Sequence, residues 1–247
     1  MLATDVIESI EEVDNDSLRY DITVLDNHNF FADGILVHNC QNIFYTDEIQ
    51  SRLSQGWVIE EKLDGSSMTV GYRKGDFILD KEGQPIPEEM VVCSRNLSLK
   101  LDDDSNSFVR VAKESGVLDA LKQLGRNLGI SGELCGEGIQ GNRYNIKGQK
   151  WFVFDILDVD TGKYLSVTER LGVLAELVQL GAVVETTPNF GIRTLEGETV
   201  DSLLALAEAK SVLNSKAERE GLVLKSVDDP DISFKAISTK YLLETKS

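Results

Sequence analysis

Short apolar runs separated by turn residues recur along the chain, and this pattern predicts many short strands. Apolar runs at 57–59 and 68–70 flank a polar turn, so we expect a strand on each side of that turn. A near-continuous apolar run at 151–157 is typical of a strand in the middle of a sheet. Further strands are predicted at 18–25, 90–94, 130–138, 220–225 and 232–237.

Turn residues divide two further regions. Residues 68–73 and 77–79 are predicted to form a hairpin across a turn at 74–76, and 83–87 a loop. Near the start of the chain, apolar pairs and triplets flank a turn at 32–34, so 1–39 is expected to be a small β meander. Such a segment is too short to fold well alone.

A helical spacing of apolar positions is confined to a few segments. Helices are predicted at 47–53, 108–114, 118–128, 166–180 and 199–213. In the fourth helix we expect Leu171, Leu174, Ala175 and Val178 to face the core. A few helices interleaved with many hairpin-joined strands indicate the α+β class.

Composition limits the possible functions without selecting one. The 247 residues are 41% hydrophobic and 27% charged, as in a globular protein of one large domain or two smaller ones. No apolar run reaches the length of a membrane span and no signal peptide opens the chain, so a cytoplasmic location is expected. The net charge of −17 argues against a nonspecific nucleic-acid binder, but an enzyme with a local basic groove is compatible with it.

Histidine and cysteine usage excludes more. His28 and His38 are the two histidines, so nothing from Cys40 onward can be a histidine base or metal ligand. This removes most hydrolase mechanisms and zinc sites from the larger part of the chain. The three cysteines, Cys40, Cys93 and Cys135, lack metal-type spacing and are expected to be reduced thiols.

The segment that ends in His38-Asn39-Cys40 has a coherent splicing chemistry. Together with residues 20–24 and 26–37 it resembles the two C-terminal sequence blocks of an intein. The resemblance implies that Asn39 cyclises to a succinimide, that His28 and His38 assist, and that the Cys40 thiol accepts the upstream chain. Because Met1 lies shortly before the junction, 1–39 resembles the C-terminal half of a split intein, with the N-terminal half on a second polypeptide. The alternative is a hairpin that merely ends in Asn-Cys.

Lys62 lies in a second chemically dense stretch, Glu60-Glu61-Lys62-Leu63-Asp64-Gly65. A lysine can be a covalent nucleophile when its amine is deprotonated and a phosphate is held in front of it. Lys-x-Asp-Gly is also an ordinary hairpin turn. Nucleotide transfer further requires cations for the phosphates, carboxylates for Mg²⁺ and an aromatic face for the base. Residues of these types occur downstream at Glu133, Phe154, Glu220, Lys225 and Lys235.

In this order these residues resemble the motifs of the covalent nucleotidyltransferase superfamily of ligases and capping enzymes. The matching stretches are 62–65, 94–96, Gly132-Glu133-Leu134, 152–156, 220–225 and Phe234-Lys235. The resemblance implies an antiparallel-sheet, ATP-grasp-like domain at 40–247, behind the all-β intein fragment at 1–39. The implied roles are Lys62 as nucleophile, Arg95 on ribose or an RNA end, Glu133 on ribose or metal, Phe154 stacked on adenine, Glu220 near the metal, and Lys225 and Lys235 on the phosphates. Glu60, Glu61 and Lys240 complete the implied cofactor-binding set.

Within that superfamily, two features of the sequence resemble those of RNA ligases. Ser67 stands where DNA ligases and capping enzymes carry an arginine, and the chain stops soon after Lys235, where those enzymes carry an OB domain. The resemblance implies an enzyme that uses ATP and Mg²⁺ to join 3′-hydroxyl and 5′-phosphate RNA ends, in nicked RNA or an RNA–DNA duplex, through lysyl-AMP. An OB-like domain is then expected on the polypeptide that carries the other intein half. One departure is that the second lysine of the last motif is missing, and Lys240 is the next.

Two alternatives remain open from the sequence. One is a DNA ligase or a capping-type nucleotidyltransferase. The other is an unspliced, inactive precursor that binds nucleotide or RNA ends without turnover. The acidic balance favours weak RNA affinity in the isolated chain, because phosphate contacts dominate such affinity.

Overall fold

A computed structural model describes residues 29–32, 35–38, 41–42, 47–79, 85–86, 88–95 and 97–245 of the chain. The strand predicted at 18–25 lies outside these residues, as do His28, Asn39 and Cys40. The predicted hairpin around the turn at 32–34 is confirmed by its two strands. β1 (Asn29–Ala32) pairs antiparallel with β2 (Ile35–His38), and Asn29 faces His38.

Most strands belong to two sheets that lie on either side of a pocket. The five-stranded sheet has the spatial order β14-β4-β15-β16-β3. Its strands are β3 (Gln41–Asn42), β4 (Gly56–Lys62), β14 (Asn189–Thr194), β15 (Gly221–Ser226) and β16 (Ser233–Ile237). The seven-stranded sheet has the order β12-β11-β10-β5-β8-β9, with β13 beside β11. Its strands are β5 (Ser66–Arg73), β8 (Glu89–Ser94), β9 (Ser98–Leu99), β10 (Leu128–Gly136), β11 (Gln149–Asp158), β12 (Lys163–Tyr164) and β13 (Glu185–Thr186).

Among the described strands, the pairing is antiparallel except at two places, where β3 runs parallel to β16 and β13 parallel to β11. The described helices are α1 (Asp47–Ser51), α2 (Ser107–Glu114), α3 (Val117–Leu124), α4 (Val167–Gln179), α5 (Val200–Ala207) and α6 (Thr239–Thr245). This arrangement confirms the α+β class and the antiparallel sheets. In the described part of the chain, no helix combines the length and apolar character needed to cross a membrane.

Each sheet has its own hydrophobic core. α2, α3 and α4 pack on the seven-stranded sheet through residues such as Val109, Leu121 and Leu177. α1 and α5 pack on the five-stranded sheet, where Ile49 and Leu203 are buried. Because the helices cover the outer faces, the facing sides of the two sheets are left to line the pocket.

The hairpin predicted across residues 74–76 is wrong. β6 (Asp76–Leu79) pairs with β7 (Pro85–Ile86), inside the stretch that was predicted to be a loop. β5 cannot accept β6, because its two edges are already paired with β8 and β10. Two adjacent apolar runs therefore belong to different sheets.

Two predicted helices are too long. α3 ends at Leu124 because Gly125 adopts a left-handed backbone with φ of 66°, and Leu128 is the first residue of β10. α5 ends at Ala207, because Glu208 has an extended backbone. In both cases apolar residues of the next segment continue the helical spacing by chance.

The predicted inner face of α4 is confirmed at Leu174 but wrong at Leu171, Ala175 and Val178, which are exposed. Leu171 and Val178 are 50% and 52% exposed. The buried residues of this helix are Arg170, Val173, Leu174 and Leu177, which follow the i, i+3, i+4, i+7 spacing of one helix face. An apolar pattern alone misplaces this face, because one of its four members is an arginine.

Candidate active site

Lys62 is the last residue of β4 and faces Gly221 of β15 across the sheet. The turn that follows is held against β10. A Cβ on Gly65 would clash with the Leu134 carbonyl oxygen and would lie 2.8 Å from Cys135 Sγ. The backbone N–H of Asp64 donates to the Tyr144 hydroxyl over 2.6 Å. These contacts fix the position of the turn, and with it the backbone of Lys62.

Two carboxylates lie beside the lysine. Lys62 Nζ is 2.9 Å from Glu220 Oε1. Burial raises the pKa of Glu133 to about 7, and the positive charge of Lys62 opposes this rise. Burial also raises the pKa of Glu220, again against the charge and hydrogen bond of Lys62. A nucleophilic amine must first lose a proton. The two partly desolvated carboxyl groups beside Lys62 can exchange a proton with it.

A pocket opens between the two sheets at this point. It encloses about 500 Å³ of empty space, part of which is open to solvent. The five-stranded sheet contributes its wall through β4 and β15, and the seven-stranded sheet through β10 and β11. The lining residues are Glu60, Glu61, Lys62, Leu63, Glu133, Phe154, Asp155, Thr187, Val223 and Lys225.

A β-bulge in β11 turns two consecutive side chains toward the pocket. Ser131 of β10 faces Asp155, but the next residue, Gly132, faces Val153, so Phe154 is the extra residue. Val153 and Ile156 consequently both enter the core of the seven-stranded sheet. Phe154 and Asp155 both line the pocket. In a regular strand, only one of these two side chains would face the pocket.

Lys225 holds this bulge from the opposite sheet. Its Nζ lies 2.5 Å from the Phe154 carbonyl oxygen, 2.8 Å from Asp155 Oδ1 and 3.2 Å from Glu60 Oε2. The same ammonium lies 5.5 Å from the centroid of the Phe154 ring. The side chain of Lys225 is 6% exposed.

Arg170 reaches the same group from α4. Its Nη2 binds Glu60 Oε1 in a short hydrogen bond, and its Nη1 lies 3.5 Å from Glu60 Oε2 and 3.7 Å from Asp155 Oδ1. Both Arg170 and Glu60 are 2% exposed. Glu60, Asp155, Arg170 and Lys225 therefore form a compact group of two anions and two cations, which we call the four-charge cluster.

Two other residues that line the pocket have unsatisfied buried oxygens. Glu61 Oε2 accepts a hydrogen bond from the Val212 N–H over 2.9 Å, but Glu61 Oε1 has no partner among the described residues. The Thr187 hydroxyl likewise has none in the described ranges. The Glu61 side chain points to the helix-covered face of β4, because Glu61 lies opposite Leu222 of the helix-covered core. Buried polar atoms without partners are costly, so a pocket ligand that satisfies the Thr187 hydroxyl gains affinity.

Asp64 is held by a third set of side chains, outside the pocket lining. Arg143 Nε lies 3.6 Å from Asp64 Oδ2, and its guanidinium lies 4.7 Å from the centroid of the Tyr241 ring on α6. Burial raises the pKa of Tyr241, as do Glu220 and a hydrogen bond with Asp64. The last described helix is therefore tied to the turn after Lys62.

The structure brings together most of the residues predicted from the sequence. Six of them line the pocket, namely Glu60, Glu61, Lys62, Glu133, Phe154 and Lys225. Glu220 contacts Lys62, and Lys235 faces Val223, so it shares the pocket side of the five-stranded sheet. Arg95 is exposed just after β8. Lys240 pairs with Glu208 over 3.2 Å. Neither residue lines the pocket. His38 ends β2, and its side chain is not described.

Sequence reasoning missed Asp155, Arg170, Thr187 and Arg143. Asp155 directly follows Phe154, and an aromatic–acid pair at the end of an apolar run was an available signal for it. Arg170 lies on the same face of α4 as Val173, Leu174 and Leu177. A helical wheel on which one charged residue is allowed in the buried face would have identified it. Thr187 and Arg143 lie in connecting segments, where no periodicity marks them.

A family model described as RNA ligase matches residues 55–241. The chain belongs to the RNA ligase family. Its fold is similar to that of a Naegleria gruberi RNA ligase mutant solved with ATP and Mn, with a TM-score of 0.77 and 34% identity over 89% of this chain. A second mutant of that ligase, solved with AMP and Mn, has a TM-score of 0.76 and 35% identity. The chain spans 61% and 60% of the length of these two chains.

The present chain is also similar to proteins named DNA polymerase. One from Thermococcus sp. (strain GE8) is 28% identical in an alignment of 196 positions that covers 72% of this chain and 11% of that protein. One from Thermococcus litoralis is 24% identical in an alignment of 217 positions that covers 82% of this chain and 12% of that protein.

Proposed function

We propose that this RNA ligase joins RNA 3′-hydroxyl and 5′-phosphate ends through a covalent lysyl-AMP. The observation that carries the proposal is Lys62 at the mouth of an aromatic-walled pocket, 2.9 Å from Glu220. The ATP and AMP complexes of the similar Naegleria ligase support a nucleotide as the ligand of this pocket.

The chemistry consists of three displacements at phosphorus. The Lys62 amine loses a proton and attacks the α-phosphorus of ATP, so that a P–N bond forms and the bond to pyrophosphate breaks. An oxygen of the RNA 5′-phosphate then attacks the same phosphorus and displaces Lys62. Finally the 3′-hydroxyl loses its proton, attacks the 5′-phosphate and releases AMP.

Glu133 and Glu220 would hold the divalent ion, which we propose to be Mg²⁺. No group of three or more acidic, histidine or cysteine side chains suited to a metal ion occurs in the described part of the chain. Mg²⁺ is commonly held by one or two carboxylates together with substrate phosphates and water. The two carboxylates therefore fit an ion that arrives with ATP. When bound, this ion neutralises charge on the triphosphate.

The base end of the pocket fits adenine. Phe154 supplies an aromatic face, and Val223 lies on the opposite sheet. The Thr187 hydroxyl has no partner among the described residues and can bond to the edge of the base. We propose ATP over GTP because the similar Naegleria ligase was solved with ATP and with AMP.

The remaining predicted residues are assigned by their position. Lys235 contacts the phosphates, because it shares the pocket face with Val223 and its charge acts on Glu220. Arg95 contacts the ribose or the RNA end, because it follows Ser94, which pairs with Met68 beside Glu133. Lys240 pairs with Glu208 outside the pocket lining, so we assign it no contact with the nucleotide.

We also propose that residues 1–39 are the C-terminal half of a split intein and that 40–247 is the ligase domain. Asn39, Cys40, His28 and His38 would carry the splicing chemistry. A second polypeptide would supply the N-terminal intein half and an OB-like domain that completes the RNA site. The resemblance of residues 20–24 and 26–40 to the C-terminal sequence blocks of inteins supports this assignment of the first segment. The mature enzyme would act on RNA nicks in the cytoplasm.

The proposed ligase function is tested by the intact mass of the full chain after incubation with ATP and MgCl₂. We expect a gain of one AMP in the wild type, none in Lys62→Ala, and an unchanged gain in Lys163→Ala. Lys163 is the matched control because it is an exposed lysine on β12, remote from the pocket lining. With GTP we expect no adduct.

The possible outcomes separate the alternatives. A GMP adduct would indicate a capping-type transferase. An AMP adduct followed by sealing of DNA nicks but not RNA nicks would indicate a DNA ligase. If no adduct forms, even after the N-terminal intein half is supplied, the proposed function is wrong and the chain is an inactive precursor.

A further inference from the structure

We infer that Arg170 is a positioning residue for the nucleotide, which acts from outside the pocket through the four-charge cluster. Arg170 does not line the pocket, whereas Glu60, Asp155 and Lys225 do. The inference rests on the proposed function in one respect, namely that the ligand of the pocket is a nucleotide. It assigns Arg170 a role in nucleotide affinity that a packing residue would not have.

The cluster joins four elements from both sides of the pocket. Glu60 lies on β4 and Lys225 on β15, in the five-stranded sheet. Asp155 lies on β11 of the seven-stranded sheet, and Arg170 on the helix that packs on that sheet. The ion pairs therefore cross the pocket floor. The geometry of these ion pairs sets the width of the pocket, from the wall that contains Phe154 to the wall that contains Val223.

The contacts of Lys225 show that it belongs to this cluster. An ammonium has three N–H donors, and Lys225 has three acceptors within 3.2 Å, on Phe154, Asp155 and Glu60. It also lies four residues along β15 from Gly221, which faces Lys62, and this corresponds to about 13 Å of strand. Lys225 is thus at the base end of the pocket. We assign it to holding Phe154, in place of the phosphate contact expected from the sequence.

Charge balance makes Arg170 necessary for that arrangement. The cluster contains two carboxylates and two cations, and the side chains of Glu60, Arg170 and Lys225 are 2%, 2% and 6% exposed. Without Arg170, one buried ammonium would face two carboxylates. A buried charge that loses its partner is strongly unfavourable, so the carboxylates would shift toward water or draw Lys225 away from Phe154. In either case the platform for the base would be displaced.

The test measures ATP affinity by calorimetry in the full chain with Lys62→Met, which binds ATP with MgCl₂ but cannot form the adduct. In this parent we expect Arg170→Met to weaken ATP binding about tenfold, through loss of coupling within the cluster. Glu60→Gln removes one carboxylate and restores neutrality, and we expect Arg170→Met to weaken ATP binding less than about threefold when it is introduced beside Glu60→Gln. A residue that only fills space would show no such difference.

Two further variants complete the comparison. Arg126→Met removes an exposed arginine, and we expect the parent affinity. Arg170→Lys keeps the charge without the planar fork, and we expect about threefold weaker binding. This variant carries the test if Arg170→Met does not fold, as judged by thermal unfolding.

The outcomes that overturn the inference are distinct from those that overturn the function. Parent-like affinity in both Arg170 variants would show that Arg170 does not position the nucleotide. An equal loss of ATP affinity on Arg170→Met with and without Glu60→Gln would show that charge balance is not the mechanism. If the parent binds ATP but the wild type forms no AMP adduct, only the proposed function fails. If the parent does not bind ATP, both fail.

Discussion

At the residue scale, the site depends on how burial and charge act on three side chains. Lys62 is stabilised as a cation by Glu220, yet it must lose a proton to attack phosphorus. Desolvation of the carboxyl groups favours loss of the Lys62 proton. It raises the pKa of both Glu133 and Glu220 and so reduces the negative charge that stabilises the ammonium. The same carboxyl groups become better ligands once a divalent ion and triphosphate enter.

The raised pKa of Glu133 predicts how stability depends on pH. The folded chain binds a proton at Glu133 up to about pH 7, while the unfolded chain releases it near 4.5. The contribution to stability is therefore complete below about pH 4.5 and is lost as the pH rises through about 7. In Glu133→Gln this loss, at most about 3 kcal/mol, is expected to be absent.

The measurement is urea unfolding of the wild type and Glu133→Gln at pH 5 and pH 8. Taking the difference between the two proteins cancels the other titrating groups. An equal fall in the unfolding free energy of both proteins would contradict the assignment. A fall confined to the wild type would support it.

At the element scale, the turn between β4 and β5 is packed so closely that only glycine fits at 65. A Cβ there would meet the Leu134 carbonyl oxygen, Cys135 Sγ at 2.8 Å and Glu133 Cγ at 2.9 Å. Two of these neighbours are a strand backbone and a buried thiol, which cannot move away cheaply. The turn that carries Lys62 and the strand that carries Glu133 therefore keep a fixed separation.

Gly65→Ala is expected to lower the unfolding free energy by about 1–3 kcal/mol, the usual cost of overpacking. Because the turn would move away from β10, we also expect slower AMP adduct formation. Gly172→Ala is the matched control. That glycine lies on the exposed face of α4 with no atom of another element within 4 Å of its Cβ position, so alanine should stabilise the chain by up to about 1 kcal/mol. Unchanged stability and adduct formation in Gly65→Ala would show that the turn can adjust.

At the scale of the whole molecule, two sheets with separate cores meet at the pocket. Ligand affinity then depends on contacts between the sheets, and the four-charge cluster is one of these contacts. The described members of both cores lie between Ile49 and Ala236, after the proposed splice junction at Cys40. The proposed splicing reaction requires a ligase core that is built from residues after the junction.

Trans-splicing is expected when the chain is mixed with the N-terminal half of a split intein whose sequence blocks complete those of 1–39. The expected product joins the upstream protein to Cys40 and releases 1–39, as measured by intact mass. Cys40→Ala should abolish joining, because no thiol accepts the upstream chain. Cys93→Ala, which removes a buried thiol, should not. Joining that survives Cys40→Ala, or no joining in the wild type, would contradict the proposal.

The sequence alone determined the features that depend on short-range pattern. The strands around Lys62 and Glu220 follow from local apolar runs, and the order of the motifs identified a nucleotidyltransferase site. The glycine in the turn after Lys62 is likewise a local signal. These predictions hold because neighbouring residues determine them.

The tertiary structure decided what depends on distant partners. Only pairing with β10 shows that Phe154 is a bulged residue and that Asp155 shares its face. Only packing shows that α4 buries Arg170 while Leu171 remains exposed. A buried arginine and a bulge both break the periodic rules that predict secondary structure. They are stable here because carboxylates from other strands neutralise the charge and the opposite strand accommodates the extra residue.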